Sequence, residues 1–375
     1  MTQQQLPLGP TPAGSGIATQ TTHPTHRPFG SWVAVALGCL GFGAVLGLSG
    51  CADNTAPSPI PTEQTVAREH SDSTALDALN AAILAAPSSP EAYQNRAMWY
   101  IERRQPKQAL ADFNLAIAAD SAFAPAWERK SDLLYAMQAF EPCLEHLDAC
   151  IAAVPSTTAC RLRRAEFAIH LRQYEEAFTY LNDALRIDDQ LHEAYWMKGK
   201  IYEETGADDK AASSYATAVE VNPEFFDGFI TLGIFHAERG NPIAEEYYRS
   251  AREIEPGSVE PIYNLAIFLQ DAGRYDEALS FYKDMLAIDP QNATAAYNQG
   301  FIFLEYFQSY DSANHWFTEA IERLPYYHQA FYNRGLARES MNQTDSALAD
   351  YNEALRLQPD YTSAAMAKER VLNEE

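Results

Sequence analysis

Three Tyr-Asn pairs recur in the last third of the chain: Tyr263-Asn264, Tyr297-Asn298 and Tyr332-Asn333. Downstream of each pair stands an apolar residue, at Ile267, Phe301 and Leu336, and Leu304 adds a fourth. These residue types do binding chemistry. An asparagine amide carries donors and an acceptor suited to a peptide backbone. A tyrosine offers a large contact area at low entropic cost. Residues that break or make bonds are harder to find. No Gly-rich phosphate loop, nucleophile elbow or metal motif is present. The histidines at 70, 146, 170, 192, 236, 315 and 328 lack metal-ligand spacing on a shared helix face. The chain therefore reads as a non-enzyme with no cofactor and no metal site.

The five cysteines fall into two groups. Cys39 and Cys51 lie near the N-terminus. Cys143 and Cys150 are separated by two helical turns, which puts their Cα atoms roughly 10 Å apart, too far for a disulfide. Both are expected to pack as small buried residues. Cys160 could approach Cys150 across a helix junction, although nothing in the spacing requires it.

The elements that position the Tyr-Asn pairs are visible in residues 259–292. Apolar residues recur at three- and four-residue steps on both sides of Gly273, the period of two amphipathic helices. Gly273 stands where a left-handed cap ends the first helix, and Pro290 where the second must stop. The same unit recurs along the chain. Small residues fall at Ala75, Ala109, Cys143, Ala177, Ala211, Ala244, Ala278, Ala313 and Ala347, almost always 34 apart. A second small series follows seven positions later, and twelve positions after the first come Pro87, Pro155, Pro223, Pro256, Pro290, Pro325 and Pro359. One residue is lost between Gly240 and Ala244 and one gained between Phe307 and Ala313, both in the turn between helices, where length changes disturb packing least.

This helix–turn–helix unit resembles the tetratricopeptide repeat, with Ala266, Ala278, Tyr282 and Pro290 at that family's signature positions. The resemblance implies an all-α, right-handed superhelical solenoid. Eight repeats are expected, at 90–123, 124–157, 158–191, 192–225, 226–258, 259–292, 293–327 and 328–361. A capping half repeat is expected over 74–89 and a polar closing helix over 362–375, since end repeats otherwise leave apolar faces in water. In such proteins the first helix of each repeat lines a concave groove. That assigns Tyr263, Asn264, Ile267, Tyr297, Asn298, Phe301, Leu304, Tyr332, Asn333 and Leu336 to a peptide-binding groove. The competing expectation is that the tyrosines pack between repeats.

A second candidate lies earlier, where Arg129 and Arg163 hold equal positions after Asn95, with Arg161 and Arg164 nearby. It resembles the carboxylate clamp of chaperone-tail binders, but Pro125 replaces the expected lysine and the preceding repeat lacks its first helix. Ordinary salt bridges between repeats are the expectation there.

The N-terminal region has a different composition. Residues 1–31 carry no acidic residue, and the stretch from Trp32 to Leu48 is uncharged and apolar. That length is short for a spanning helix and suits a signal-peptide core. It ends Leu48-Ser49-Gly50-Cys51, which resembles the lipobox of bacterial lipoproteins and implies acylation of Cys51. Residues 1–50 then form the signal peptide, and 51–73, with Pro57, Pro59 and Pro61, a disordered linker of roughly 25–30 Å reach. Ala52 is not the aspartate of inner-membrane retention, which favours the outer membrane, facing the periplasm.

The formal net charge is −24. Nucleic acid and anionic lipid surfaces are repelled overall, so no nucleic-acid partner is expected. The expected function is a lipid-anchored protein–protein interaction scaffold of the bacterial envelope, with a protein or peptide partner and the membrane, through Cys51. The alternatives are a homo-oligomeric structural subunit of an envelope assembly and a repeat-based enzyme.

Overall fold

The computed structural model describes residues 63–374, and their side chains from residue 73 to residue 373. The expected signal peptide, Cys51 and most of the linker lie outside the described residues. Among those described there are eighteen α-helices and no strand. In order they are α1 (Glu63–Ala85), α2 (Pro90–Glu102), α3 (Pro106–Ala119), α4 (Ala124–Ala136), α5 (Phe140–Ala153), α6 (Ala159–His170), α7 (Tyr174–Ile187), α8 (His192–Glu204) and α9 (Asp208–Val221). Then follow α10 (Phe226–Ala237), α11 (Ala244–Ile254), α12 (Glu260–Asp271), α13 (Tyr275–Ile288), α14 (Ala293–Glu305), α15 (Tyr310–Arg323), α16 (His328–Ser340), α17 (Thr344–Leu357) and α18 (Thr362–Glu374). None of them is long and apolar enough to cross a membrane.

Seven helix pairs pack closely, α2 on α3, α6 on α7, α8 on α9, α10 on α11, α12 on α13, α14 on α15 and α16 on α17, each joined by a short turn, and a short turn likewise joins α4 to α5. One residue in each of these turns is left-handed: Arg104, Gln138, Arg172, Gly206, Gly240, Gly273, Gln308 and Asn342, all with φ between +51° and +75°. Glycine takes that conformation without a Cβ penalty, yet it occupies only three of the eight positions.

The chain divides into two compact units. The first comprises the described residues up to Asp120 and the segment Asp132–Ala139. Its core is built on Ala97, Ala109, Phe113 and Ala116, all fully buried. Within it Arg96 spans α2 and α3, pairing bidentately with Asp112 at 2.7 and 2.8 Å and donating to Asn80 of α1. Helix α1 begins at Glu63, inside the stretch expected to be disordered linker. The linker's prolines end at Pro61, and the following Glu63-Gln64-Thr65-Val66-Ala67-Arg68-Glu69 consists mostly of good helix formers.

The second unit comprises Ser121–Ser131 and Phe140–Glu375. Its helical pairs stack in tandem, each packing on the next, so the unit is an all-α repeat solenoid. One contact recurs. A large ring on the second helix of a pair lies flat on a small residue of the first. A Cβ added at Gly199, Gly233, Gly300 or Gly335 would sit only 2.3–2.8 Å from the ring of Tyr215, Tyr248, Phe317 or Tyr351. Tyrosines of the second helices also lock three pairs through the hydroxyl. Tyr215 donates to Glu203, Tyr282 to Gln270 and Tyr351 to Glu339, each back across its own turn.

Helices α5 and α6 are joined covalently. Cys150 and Cys160 form a disulfide with Cα atoms 6.4 Å apart. Cys150 is fully buried, as expected of a small packing residue, but it is also cross-linked, which corrects the reading of it as packing alone. Cys160 is the second residue of α6, so the short α5–α6 turn returns it to the end of α5. Cys143 stays reduced and buried.

Candidate peptide-binding face

Helices α12, α14 and α16 are the first helices of three successive pairs in the second unit, and they carry all ten groove candidates. The structure sorts these residues by accessibility. Tyr263, Asn264, Ile267, Tyr297, Phe301, Tyr332 and Leu336 are half-buried. Asn298, Asn333 and Leu304 are buried, at 8%, 6% and 7% exposure. An amide buried this deeply cannot be the free donor that the groove assignment gave it, so two of the three asparagines need another role.

That role is to tie one repeat to the next. Asn333 Nδ2 donates to the Tyr297 hydroxyl at 2.8 Å, from α16 to α14. Asn298 sits beside the hydroxyls of Tyr263 and Tyr282, close enough to hold both down against the upward push of burial. Its Nδ2 is nevertheless buried without a hydrogen bond. Tyr297 and Asn333 are thus joined from one repeat to the next, the asparagine of α16 reaching back to the tyrosine of α14. Burial also raises the pKa of Tyr297, Tyr327 and Tyr332, and takes Tyr361 to about 12, so these hydroxyls stay neutral donors.

The tyrosines belong to a longer aromatic run. Tyr297 stacks on Tyr327 with ring centroids 4.9 Å apart and lies 6.5 Å from Phe301. Phe301 meets Tyr306 edge-on at 6.1 Å, and Tyr306 stacks on Tyr275 of the preceding pair at 4.1 Å. Tyr306 and Phe307 stand in the lengthened α14–α15 turn and are 44% and 40% exposed. Tyr306 thus stands exposed beside Phe301, while Phe307 packs against Phe303 and Tyr275.

The same turn borders a cleft of about 280 Å³, lined by Leu304, Glu305, Gln308 and Tyr310 on one side and by Leu336, Glu339, Ser340 and Arg370 on the other. Two groove candidates, Leu304 and Leu336, form part of its wall. Arg370 Nε and Nη2 hold Glu339 at 3.0 and 2.9 Å. Sequence reasoning missed this cleft. Its signal was the extra residue before Ala313, combined with the closing helix that brings in Arg370.

The earlier cationic candidate is internally satisfied. Arg163 pairs with Glu166 at 2.6 Å, Arg164 with Asp148 and Glu176 at 3.0 Å each, and Arg161 donates to the Thr157 carbonyl. Among the described residues no group of three or more His, Cys, Asp or Glu is placed to hold a metal ion. His146 is instead a packing residue: its ring stacks on Trp127 and its Nε2 meets the Trp127 carbonyl at 2.9 Å. Burial, with the Lys130 charge adding, pushes it down to about 4.

Comparison with known proteins places relatives beside this geometry. The chain is 27% identical over 199 residues to Protein FlbA of Caulobacter vibrioides, covering 53% of this chain and 33% of FlbA. It is 30% identical over 152 residues to the Type IV pilus assembly protein PilF of Pseudomonas aeruginosa, covering 40% of this chain and 60% of PilF. The chain thus spans a third of the one and three-fifths of the other. Among solved structures, MamA aligns at 21% identity with a TM-score of 0.41, covering 46% of this chain and 93% of MamA. Family models described as tetratricopeptide repeat match three stretches, and residues 192–225, 244–299 and 328–361 are accordingly tetratricopeptide repeats.

Proposed function

We propose that this chain is a protein-binding scaffold of the bacterial cell envelope, anchored through an acylated Cys51, that takes a peptide or protein segment on the face formed by α12, α14 and α16. The observation that carries this reading is the repeat-spaced set of half-exposed side chains on that face: Tyr263, Asn264, Ile267, Phe301, Tyr332 and Leu336. Apolar area at regular spacing beside polar groups holds an extended or helical segment in register. The buried Asn333 acts from behind, fixing the Tyr297 hydroxyl.

Two further features support the location. A Cys150–Cys160 disulfide suits an oxidising compartment such as the periplasm. The relative PilF is named for type IV pilus assembly. The outer membrane, facing the periplasm, fits Ala52 after the acylated cysteine.

The test is site-specific photo-crosslinking in native membranes. A crosslinker at Ile267 or Leu336 is expected to capture a discrete protein adduct identifiable by mass spectrometry, and one at the exposed Leu115 of α3 is not. Equal capture from both positions would remove this face as the binding site.

A further inference from the structure

The cleft between α14, α16 and α18 adjoins the proposed face but differs from it in charge. Its wall is apolar where Leu304 and Leu336 line it, and polar where Glu305, Gln308, Tyr310, Glu339 and Ser340 do. Glu305 is exposed, and among the described residues no cation pairs with it. The guanidinium groups of α16 and α18 are already committed. Arg334 and Arg338 both hold Asp350, and Arg370 holds Glu339. Residues 259–375 contain 8 Lys and Arg against 18 Asp and Glu, a net charge of −10. An acidic ligand would meet uncompensated carboxylate here, whereas a basic one would be attracted.

The cleft also has a suitable shape. Arginine and lysine bury their alkyl stems along apolar surface while the charged head stays with polar partners, and Leu304 and Leu336 offer such a surface beside Glu305. A guanidinium already fits the opposite rim, where Arg370 makes its two-point contact with Glu339. Planar bidentate contact with a carboxylate is the geometry in which arginine is most selective.

We propose that the segment bound by this chain is basic, and that the α14–α16–α18 cleft receives one of its arginine or lysine side chains, the stem against Leu304 and Leu336 and the charge on Glu305. The proposal rests on the peptide-face reading and specifies its ligand. Glu305 is then a specificity-determining residue, and Arg370 orients Glu339 at the rim.

The experiment uses the full chain in detergent and a mixture of twelve-residue peptides of Leu, Tyr, Ala and Gly. Each peptide carries one arginine or, in matched amount, one citrulline, its neutral near-isostere. Retained peptides are counted by mass spectrometry. Arginine peptides are expected to be enriched about five- to tenfold, as for a partly desolvated charge-assisted pair, and the enrichment is expected to vanish in Glu305→Gln and to weaken in high salt. Glu305 is exposed, so the variant keeps its fold, which unchanged melting verifies. Equal retention of both peptides overturns the basic cleft while leaving the peptide face standing. Arginine selectivity unchanged in Glu305→Gln places the cation elsewhere and also overturns it. Retention of neither peptide defeats the peptide-face reading, and a Phe301-dependent dimer of this chain would make a second copy the occupant instead.

Discussion

Replacing Gly233 by alanine tests the packing on which every repeat depends. Gly233 lies in α10 under the Tyr248 ring of α11. A Cβ there would sit 2.3 Å from Tyr248 Cε1 and 2.5 Å from Cδ1. Carbon atoms rest comfortably at about 3.5–4.0 Å, so the ring or the helix must retreat by more than ~1 Å. Tyr248 is only 3% exposed and has little room to move. Overpacking of this kind costs ~1–3 kcal/mol, and alanine's better helix propensity returns up to ~1 kcal/mol. A net loss of ~1–2 kcal/mol is expected, and a larger one for Gly233→Trp. Stacked repeats couple mainly to their neighbours, so hydrogen exchange followed by mass spectrometry should quicken first over α8 to α13, with α15 to α17 retaining protection. Gly257 supplies the control, because nothing lies within 4 Å of its added Cβ; Gly257→Ala should stay within about 0.5 kcal/mol of the wild type. Adding Tyr248→Leu to Gly233→Ala should cost less than the two changes summed, since the smaller side chain relieves the clash. A Gly233→Ala protein as protected as the wild type, or exchange accelerated evenly along the whole chain, would refute the reasoning.

Other outcomes follow from particular residues. Labelled palmitate should enter the wild type and not Cys51→Ala, and a variant that stays membrane-bound with unchanged gel mobility would defeat the lipid-anchor proposal. Phe301→Ala should weaken partner binding by ~1–3 kcal/mol with little change in melting; a stability loss of ~3–5 kcal/mol with normal affinity in the folded fraction would make Phe301 a packing residue only. Cys160→Ser should destabilise the α5–α6 junction by ~2–3 kcal/mol in the chain-entropy account, read as faster exchange there, and reductant should have the same effect on the wild type alone. His146 is held down to about 4 by burial, so the unfolded chain takes up a proton near its ordinary 6.5 before the folded one does. Protection around His146 should therefore be full above pH 7 and fall as pH drops from 6.5 towards 4; exchange that is pH-independent after correction for intrinsic rates would count against this.

The period of the repeats was readable because the close contacts select by size. A ring against a bare backbone excludes all but small residues, so Gly199, Gly233, Gly300 and Gly335 mark the repeat directly. The turns were less readable. Left-handed backbone favours glycine, but Arg104, Gln138, Arg172, Gln308 and Asn342 adopt it as well, and an arginine carries no visible signature of a turn. For the candidate face, spacing placed the three Tyr-Asn pairs on equal positions but could not reveal the link from one repeat to the next. Asn333 reaches Tyr297 only because α16 packs alongside α14, a relation between units that periodicity does not encode. The cleft was hidden for the same reason, since its lining residues are drawn from four helices and the turn between two of them. The disulfide needed knowledge of the course of the α5–α6 turn, which two cysteines ten positions apart do not supply.

The Cys150–Cys160 bond has a bearing on how this chain withstands proteases. Ala152, Ala153, Pro155, Ser156 and Ala159 are exposed between the two cysteines, and exposed connecting turns are favoured places for a protease to cut. A cut at this turn would open the backbone without separating the fragments, because the bond spans the nick. A chain clipped there would run as one piece without reductant and as two with it. Under the proposed anchoring, the repeats that carry the binding face would stay covalently attached to the membrane after such a cut, whereas a cut in an uncross-linked turn would leave them held by packing alone.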